Sequence, residues 1–458
     1  MERFKNNSNK FLNSYYFPIL VFLVALISHT FSIELFGCIT LIVSACIGLL
    51  VCNDLKFLIS PLIMFTFMFS EKSVSSGTFY STGYIVAMIV LIVFFLGLLV
   101  AHFVIYKDSV DIGSFVKSKL FLGLLCLCIA FFLNGLFNFD QYVIGNIIFA
   151  LAMLVCYGLI FFLLSSNLTP NKELKNYLFF ILFLTSLLVI LQFYISFIHQ
   201  FRFENGALVK ESILVGWGIW NNIGGELAFL LPIHFYFAST VKKYGWIFYL
   251  SGVFSYLTIA LSLSRSSLLV STAIIIACAI ISCFAGENKK INRIFTGAIA
   301  IIGIIGIIAL WDKLSSVLGD YLSRGMDDNG RFEIYKKGLL NFCDNPIFGG
   351  GFFSADAQDH QFVAFMPDRY HNTIIQMMGT CGIVGLLAYL YHRFETVKLM
   401  LRKRSLYTLF CALCLIAFLG TSLLDNHFFN IHPSFVYISI LVVIEKCEND
   451  YEKPLNAQ

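Results

Sequence analysis

Lys242-Lys243-Tyr244-Gly245-Trp246-Ile247-Phe248-Tyr249-Leu250 begins a stretch that ends at Gly286-Glu287-Asn288-Lys289-Lys290. Between the two lysine pairs, residues 244–288 hold no lysine and a single arginine, Arg265. Lysine and arginine concentrate on the cytoplasmic side of membrane helices, so both flanks belong on that side. An even number of spans must then lie between them, and about 45 residues suits two. The tip of that hairpin is Leu263-Ser264-Arg265-Ser266-Ser267, which puts Arg265 at the outer surface.

The rest of the chain reads the same way. Of its 458 residues 59% are hydrophobic and 13% charged, with fifty phenylalanines. A soluble domain carries roughly one quarter charged residues, so this is a polytopic membrane protein. Strands of a β-barrel would alternate apolar and polar residues, and these runs do not. The net charge of +4 forms no nucleic-acid patch. Most of the thirteen cysteines sit inside apolar runs, where they act as small hydrophobes, and no disulfide framework or metal pair is implied. Arg3, Lys5 and Lys10 precede an apolar run with no small-residue cleavage site, which reads as an uncleaved first span.

The expected fold class is an all-α polytopic membrane protein with about fourteen transmembrane helices. The spans fall near 14–30, 33–52, 55–70, 84–106, 119–137, 142–166, 177–198, 222–241, 245–263, 266–285, 294–311, 372–392, 406–424 and 433–446. With the N-terminus inside, 21 of the 31 lysines and arginines fall in inner segments, so both termini are expected to be cytoplasmic. Residues 1–311 would form a bundle of the first eleven spans, 312–371 an extracytoplasmic loop with catalytic elements, and 372–458 the last three spans and a cytoplasmic tail. Within the loop, Leu314, Val317, Leu318, Tyr321 and Leu322 recur at helical spacing. So do Phe332, Tyr335, Leu339 and Phe342, after the turn-like Asp327-Asp328-Asn329-Gly330. Both stretches should lie on the membrane or the bundle.

The candidate chemistry gathers on the outer side. His371 opens the twelfth span, near the positive end of the helix dipole, which keeps its ring neutral near pH 7. A neutral imidazole can take a proton from a hydroxyl. An interfacial histidine that caps a helix or contacts lipid is the plainer alternative. Arginine at the edge of hydrocarbon is costly, and its planar fork suits phosphate oxygens. For Arg265 that reading balances evenly against snorkelling to headgroups. For Arg331 the alternative is the solvated face of an amphipathic helix. Arg324 and Arg369 are further anion contacts to consider. Asn222 and Glu226 open the eighth span together with Asn221; Glu226 is either a second acid–base group or, by preference, the partner of an arginine. His234, deeper in that span, reads as a buried structural polar. Gly379, Gly382 and Gly385 are explained by close helix packing. No Walker loop occurs, Asp327-Asp328 reads as a turn or cap, and no Asp-x-Asp lies in an outer loop, so metal and nucleotide-sugar mechanisms are disfavoured.

Three stretches together resemble the O-antigen ligase and O-antigen polymerase superfamily. Leu261-Ser262-Leu263-Ser264-Arg265-Ser266 is similar to its arginine-bearing hairpin. Gly330-Arg331-Phe332 through Asn345-Pro346-Ile347-Phe348-Gly349-Gly350-Gly351 is similar to its main-loop signature. His371-Asn372, followed by nine residues and Gly382-x-x-Gly385, resembles its His-Asn motif. The resemblance covers roughly 215–395, and the first 200 residues match only as a run of spans. It implies a multi-span glycosyltransferase of the bacterial cytoplasmic (inner) membrane with an extracytoplasmic active site, needing no cofactor and no metal. The implied donor is a glycan on undecaprenyl diphosphate, and the acceptor is a glycan or a lipid-linked hydroxyl. Membrane lipids are partners, nucleic acid is not, and a chain-length regulator protein is a candidate partner. By this resemblance His371 is the catalytic base and Arg265 and Arg331 bind the diphosphate; Glu226, Asn222, Arg369 and Asn372 are candidate supporting residues beside them. The activity is expected to be polymerisation of surface polysaccharide repeat units. The alternatives are ligation to a different acceptor and, from another class, a flippase or exporter of lipid-linked oligosaccharide. A flippase should carry more intramembrane charge and shorter outer loops than this chain.

Overall fold

The computed structural model describes residues 2–68, 82–170, 173–204, 207–208, 215–309, 311, 331–353, 370–402 and 405–449. In order, the α-helices are α1 (Glu2–Leu12), α2 (Tyr16–Thr30), α3 (Glu34–Val51), α4 (Ile59–Thr66), α5 (Thr82–Ile105), α6 (Ile112–Val116), α7 (Phe121–Phe132), α8 (Ile144–Met153) and α9 (Ile160–Asn167). They continue as α10 (Leu174–Gln200), α11 (Trp220–Thr240), α12 (Gly245–Leu261), α13 (Arg265–Phe284), α14 (Lys289–Ala309), α15 (Arg331–Asp344), α16 (Thr373–Arg402), α17 (Leu406–Leu424) and α18 (Ile431–Asn449). A π-helical segment, Leu154–Leu159, joins α8 to α9. The only strands among the described residues are a two-residue antiparallel pair, Phe203–Glu204 with Ala207–Leu208.

Helix occupies part of every segment expected to span. Among the described residues, six helices are long and apolar enough to cross a membrane: Glu34–Val51, Ile144–Asn167, Leu174–Gln200, Arg265–Phe284, Thr373–Arg402 and Leu406–Leu424. A seventh span results if the bent pair Ile89–Ile105 and Lys107–Val116, which turns through 82°, counts as one. Exposed apolar side chains line the outside, as on α5 (Val90, Val93, Phe94, Val104) and α14 (Ile301, Ile302, Ile305, Ile308). Such a surface is stable only against hydrocarbon, because helices satisfy their own backbone groups there.

At the centre stands α11, whose residues 223–239 are all buried. A helix apolar all round belongs inside a bundle. It packs against α12, α13 and α17. On its flank α16 packs against α7 and α15. The hairpin read from the lysine pairs is present as α12 and α13, joined by Ser262, Leu263 and Ser264. His234 is fully buried, bonded through Nε2 to Ser186 Oγ and through Nδ1 to Ser251 Oγ, each at 2.8 Å.

Two sequence readings change. The twelfth span was drawn to residue 392, yet α16 runs to Arg402 and is broken at Gly382, with φ 64° and ψ −157°. That conformation is essentially open to glycine alone. Gly382 therefore serves a backbone break and not helix-on-helix packing. The segment Pro346–Gly351 threads into the break: Ile383 N–H donates to Pro346 O, and the Gly350 and Gly351 N–H groups donate to Gly379 O and Thr380 O. Asn134 and Asn146 hold the other side of the thread, accepting from the backbone N–H groups of Phe352 and Phe353 at 3.2 and 3.0 Å. In the loop, the second expected helix is α15. Residues 314–322, Arg324 and the turn at 327–330 lie outside the described residues, as does Arg369.

Candidate functional site

The site forms where α17 ends. An α-helix leaves its last carbonyls without partners, and here three successive ones are met by side chains from other elements. Thr373 Oγ1 donates to Ser422 O at 2.8 Å, Asn372 Nδ2 to Leu423 O at 3.0 Å, and Arg331 Nη1 to Leu424 O at 3.1 Å. Asn372 also starts α16, its Oδ1 accepting from the N–H groups of Ile374 and Ile375. One residue earlier, His371 has φ 48°, a left-handed backbone that histidine tolerates better than most residues. That twist turns the ring toward Asp425, the residue that ends α17.

His371 Nδ1 lies 3.0 Å from Asp425 Oδ1, with side-chain exposures of 30% and 12%. Burial alone would raise the Asp425 carboxyl. The hydrogen bond and charge of His371, the charge of His427 and the Asn426 N–H outweigh it and hold the group well below the usual carboxylate range. Asp425 is therefore ionised at neutral pH and can only accept. In the neutral ring the hydrogen must then sit on Nδ1, which leaves the Nε2 lone pair for a substrate. A ring oriented by a carboxylate through one nitrogen and open at the other is the arrangement of a general base. Asn221 Nδ2 reaches the second carboxylate oxygen at 3.4 Å, and the Asn426 N–H reaches Oδ1 at 2.8 Å.

The sequence reading had named His371, Arg331, Asn372 and Asn222. The structure brings the first three onto the end of α17. Asn222 instead closes the first turn of its own helix, accepting from Ile219 N–H at 3.4 Å, while its neighbour Asn221 reaches Asp425. Arg265 is exposed and is the first residue of α13, beside the left-handed Leu263 (φ 56°). Its hairpin reaches the site through paired glycines. A Cβ on Gly224 would meet Ser267 and Ser262, and one on Gly225 would meet His427. Glu226 is 2% exposed, and its Oε1 has no hydrogen-bond partner among the described residues. The arginine partner expected for it is not found among those residues, since its helix is enclosed by α12, α13 and α17.

Asp425 was missed. Its signal was available: Asp425-Asn426-His427 is a polar triplet directly after the apolar run 406–424. Electrostatically, the starts of α11, α15 and α16 reach the end of α17 through Asn221, Arg331 and Asn372. Helix N-termini carry partial positive charge, so the arrangement attracts an anion. Among the described residues no group of three or more His, Cys, Asp or Glu is placed to hold a metal ion.

Residues 250–390 match the family model described as O-antigen ligase. That segment is similar to the O-antigen ligase family, in line with the resemblance carried by the three motifs. A search of curated proteins found no match. The family implies a glycosyltransferase of the O-antigen ligase type, with a lipid-linked glycan as donor and an acceptor for that glycan. Family and apolar helices together make the chain a membrane protein, as expected of a bacterial inner membrane. Arg265, Arg331 and His371 lie within the matched segment, and Asp425 lies beyond it.

Proposed function

We propose that the protein transfers a glycan from undecaprenyl diphosphate to an acceptor hydroxyl at the outer face of the membrane, without a metal or a nucleotide sugar. The observation that carries this reading is the meeting of His371 and Arg331 on adjacent residues, Asp425 and Leu424. His371 Nε2 takes the acceptor proton as the acceptor oxygen bonds to the anomeric carbon. The bond from that carbon to the diphosphate breaks on the opposite face, and the sugar inverts. The departing diphosphate gains negative charge between Arg331, Arg265 and the helix N-termini, and fixed cations aimed at developing charge lower the barrier most. The reading takes fourteen spans, both termini in the cytoplasm, and residues 312–371 as an outer loop between the bundle of 1–311 and the last spans of 372–458. Repeat-unit polymerisation is the proposed activity, on the prevalence of polymerases in the superfamily; ligation to a different acceptor is its alternative.

The test is transfer by purified protein in vesicles, given a glycan on a polyprenyl diphosphate and a chelator. The expected result is a longer lipid-linked glycan with an inverted linkage and free polyprenyl diphosphate. Product only with a non-lipid-diphosphate acceptor makes the protein a ligase. Movement of the donor across vesicles with no new glycosidic bond overturns the transferase reading in favour of transport.

A further inference from the structure

Arg393 has no part in the chemistry above, yet its setting is costly. It lies on α16, past the break at Gly382, and its guanidinium points into the bundle. The carbon Cζ sits 4.8 Å from the ring centres of Tyr389 and Phe428, 5.1 Å from Tyr437 and 5.6 Å from Phe418. Nη1 donates to Tyr437 Oη at 3.1 Å, while Nε and Nη2 are buried with no hydrogen bond of normal geometry among the described residues. His392 Nε2 and Thr396 Oγ1 also contact Tyr437 Oη, at 2.8 and 3.2 Å. A buried cation without a carboxylate is expensive, and an apolar side chain of the same length would fill the space at less cost. Ring faces offset that expense only when several surround the charge. A charge kept at such cost, with ring faces as its main partners, points to a geometric task.

The four rings belong to four different elements. Tyr389 is on α16, Phe418 on α17, Tyr437 on α18, and Phe428 on the 3-10 turn His427–Phe429 that follows Asp425. The backbone of that turn is fixed separately, by Tyr157 Oη donating to Phe428 O at 2.6 Å and Ser434 Oγ to Tyr157 Oη at 3.0 Å. The side chain of Phe428 packs against Tyr157 and Tyr389 and carries the cation on its face. We infer that Arg393 is a positioning residue for the His371–Asp425 pair: through the aromatic cage it holds the turn His427–Phe429 that follows Asp425. This rests on the transferase reading for its consequence, but not for its geometry. A loosened turn moves Asp425 Oδ1, and the 3.0 Å contact with His371 has little slack before it ceases to be a hydrogen bond.

The test compares full-length wild type with Arg393→Met, Arg393→Lys and Phe428→Leu in transfer kinetics and in backbone hydrogen exchange. Arg393→Met is expected to lower kcat by about 100-fold while the donor KM stays within about twofold, since small displacements of a catalytic group act on the chemical step. Lysine, which keeps the charge in the cage, should recover part of that loss. Exchange should rise at 425–429 and stay unchanged at the hairpin 262–267. Phe428→Leu should copy the methionine variant, and it carries the test if that variant does not fold. Wild-type kcat and exchange in both variants overturn the inference, as does a raised KM with kcat intact. If wild type makes no product but exchange at 425–429 still rises in Arg393→Met, the transferase reading falls and the positioning role stands.

Discussion

His371 is a residue whose identity and backbone both carry meaning. Its left-handed φ would cost most side chains about 1–2 kcal/mol, and its ring meets an aspartate that hydropathy alone had hidden in a helix end. Asn is the informative substitute for Asp425, because it keeps the shape and removes the charge. Asp425→Asn should lower stability by about 1–3 kcal/mol, the size of a hydrogen bond to a charged group, and should lower kcat more than it raises KM. Its pH dependence has a definite sign. Folding lowers the Asp425 pKa from an unfolded value of about 3.9. Its contribution is thus complete above about pH 4 and is lost as pH falls through the lower folded value. Thermal unfolding of wild type and Asp425→Asn should therefore differ at pH 7 and converge in strong acid; a constant gap across that range contradicts the assignment. The sequence singled out His371 and Arg331, which the structure brings to the end of α17, because motif spacing is local in the sequence. Asp425 was not, because its partner is 54 residues away and only the packing of α16 on α17 joins them.

At the scale of elements, the hairpin α12–α13 was readable from its lysine flanks and its length, since two spans were the only even number that fitted. The break in α16 was not readable. Glycines every third residue suit close helix packing equally well, and only the thread of Pro346–Gly351 shows which demand governs. Gly382→Ala should expose that demand. Its Cβ would strike Ile347 O, and its backbone conformation costs a non-glycine residue about 1–3 kcal/mol. The variant should melt several degrees lower, while Gly303→Ala on α14, with nothing near its Cβ, should melt at or above the wild-type temperature. Equal melting of the two would remove the thread from the account.

For the whole molecule, one helix end gathers the starts of three others, and that convergence ties residues spread from 221 to 425 into one site. Among the described residues six or seven helices meet the length and composition of a span on their own, and α12 is a shorter apolar helix. The proposed topology is open to reporter fusions. A fluorescent protein after Gln458 should fluoresce, and a phosphatase that folds only outside should be active when fused after Phe353; an active phosphatase at the C-terminus would overturn the even span count. The central claim is that His371 takes the acceptor proton, and single-turnover transfer by His371→Asn tests it most directly. Asparagine accepts the left-handed backbone, so the fold and donor binding should survive. The expected result is donor affinity like wild type with the transfer step slowed about 100-fold or more, the share that general-base catalysis supplies. Transfer at the wild-type rate in a folded His371→Asn protein would contradict it.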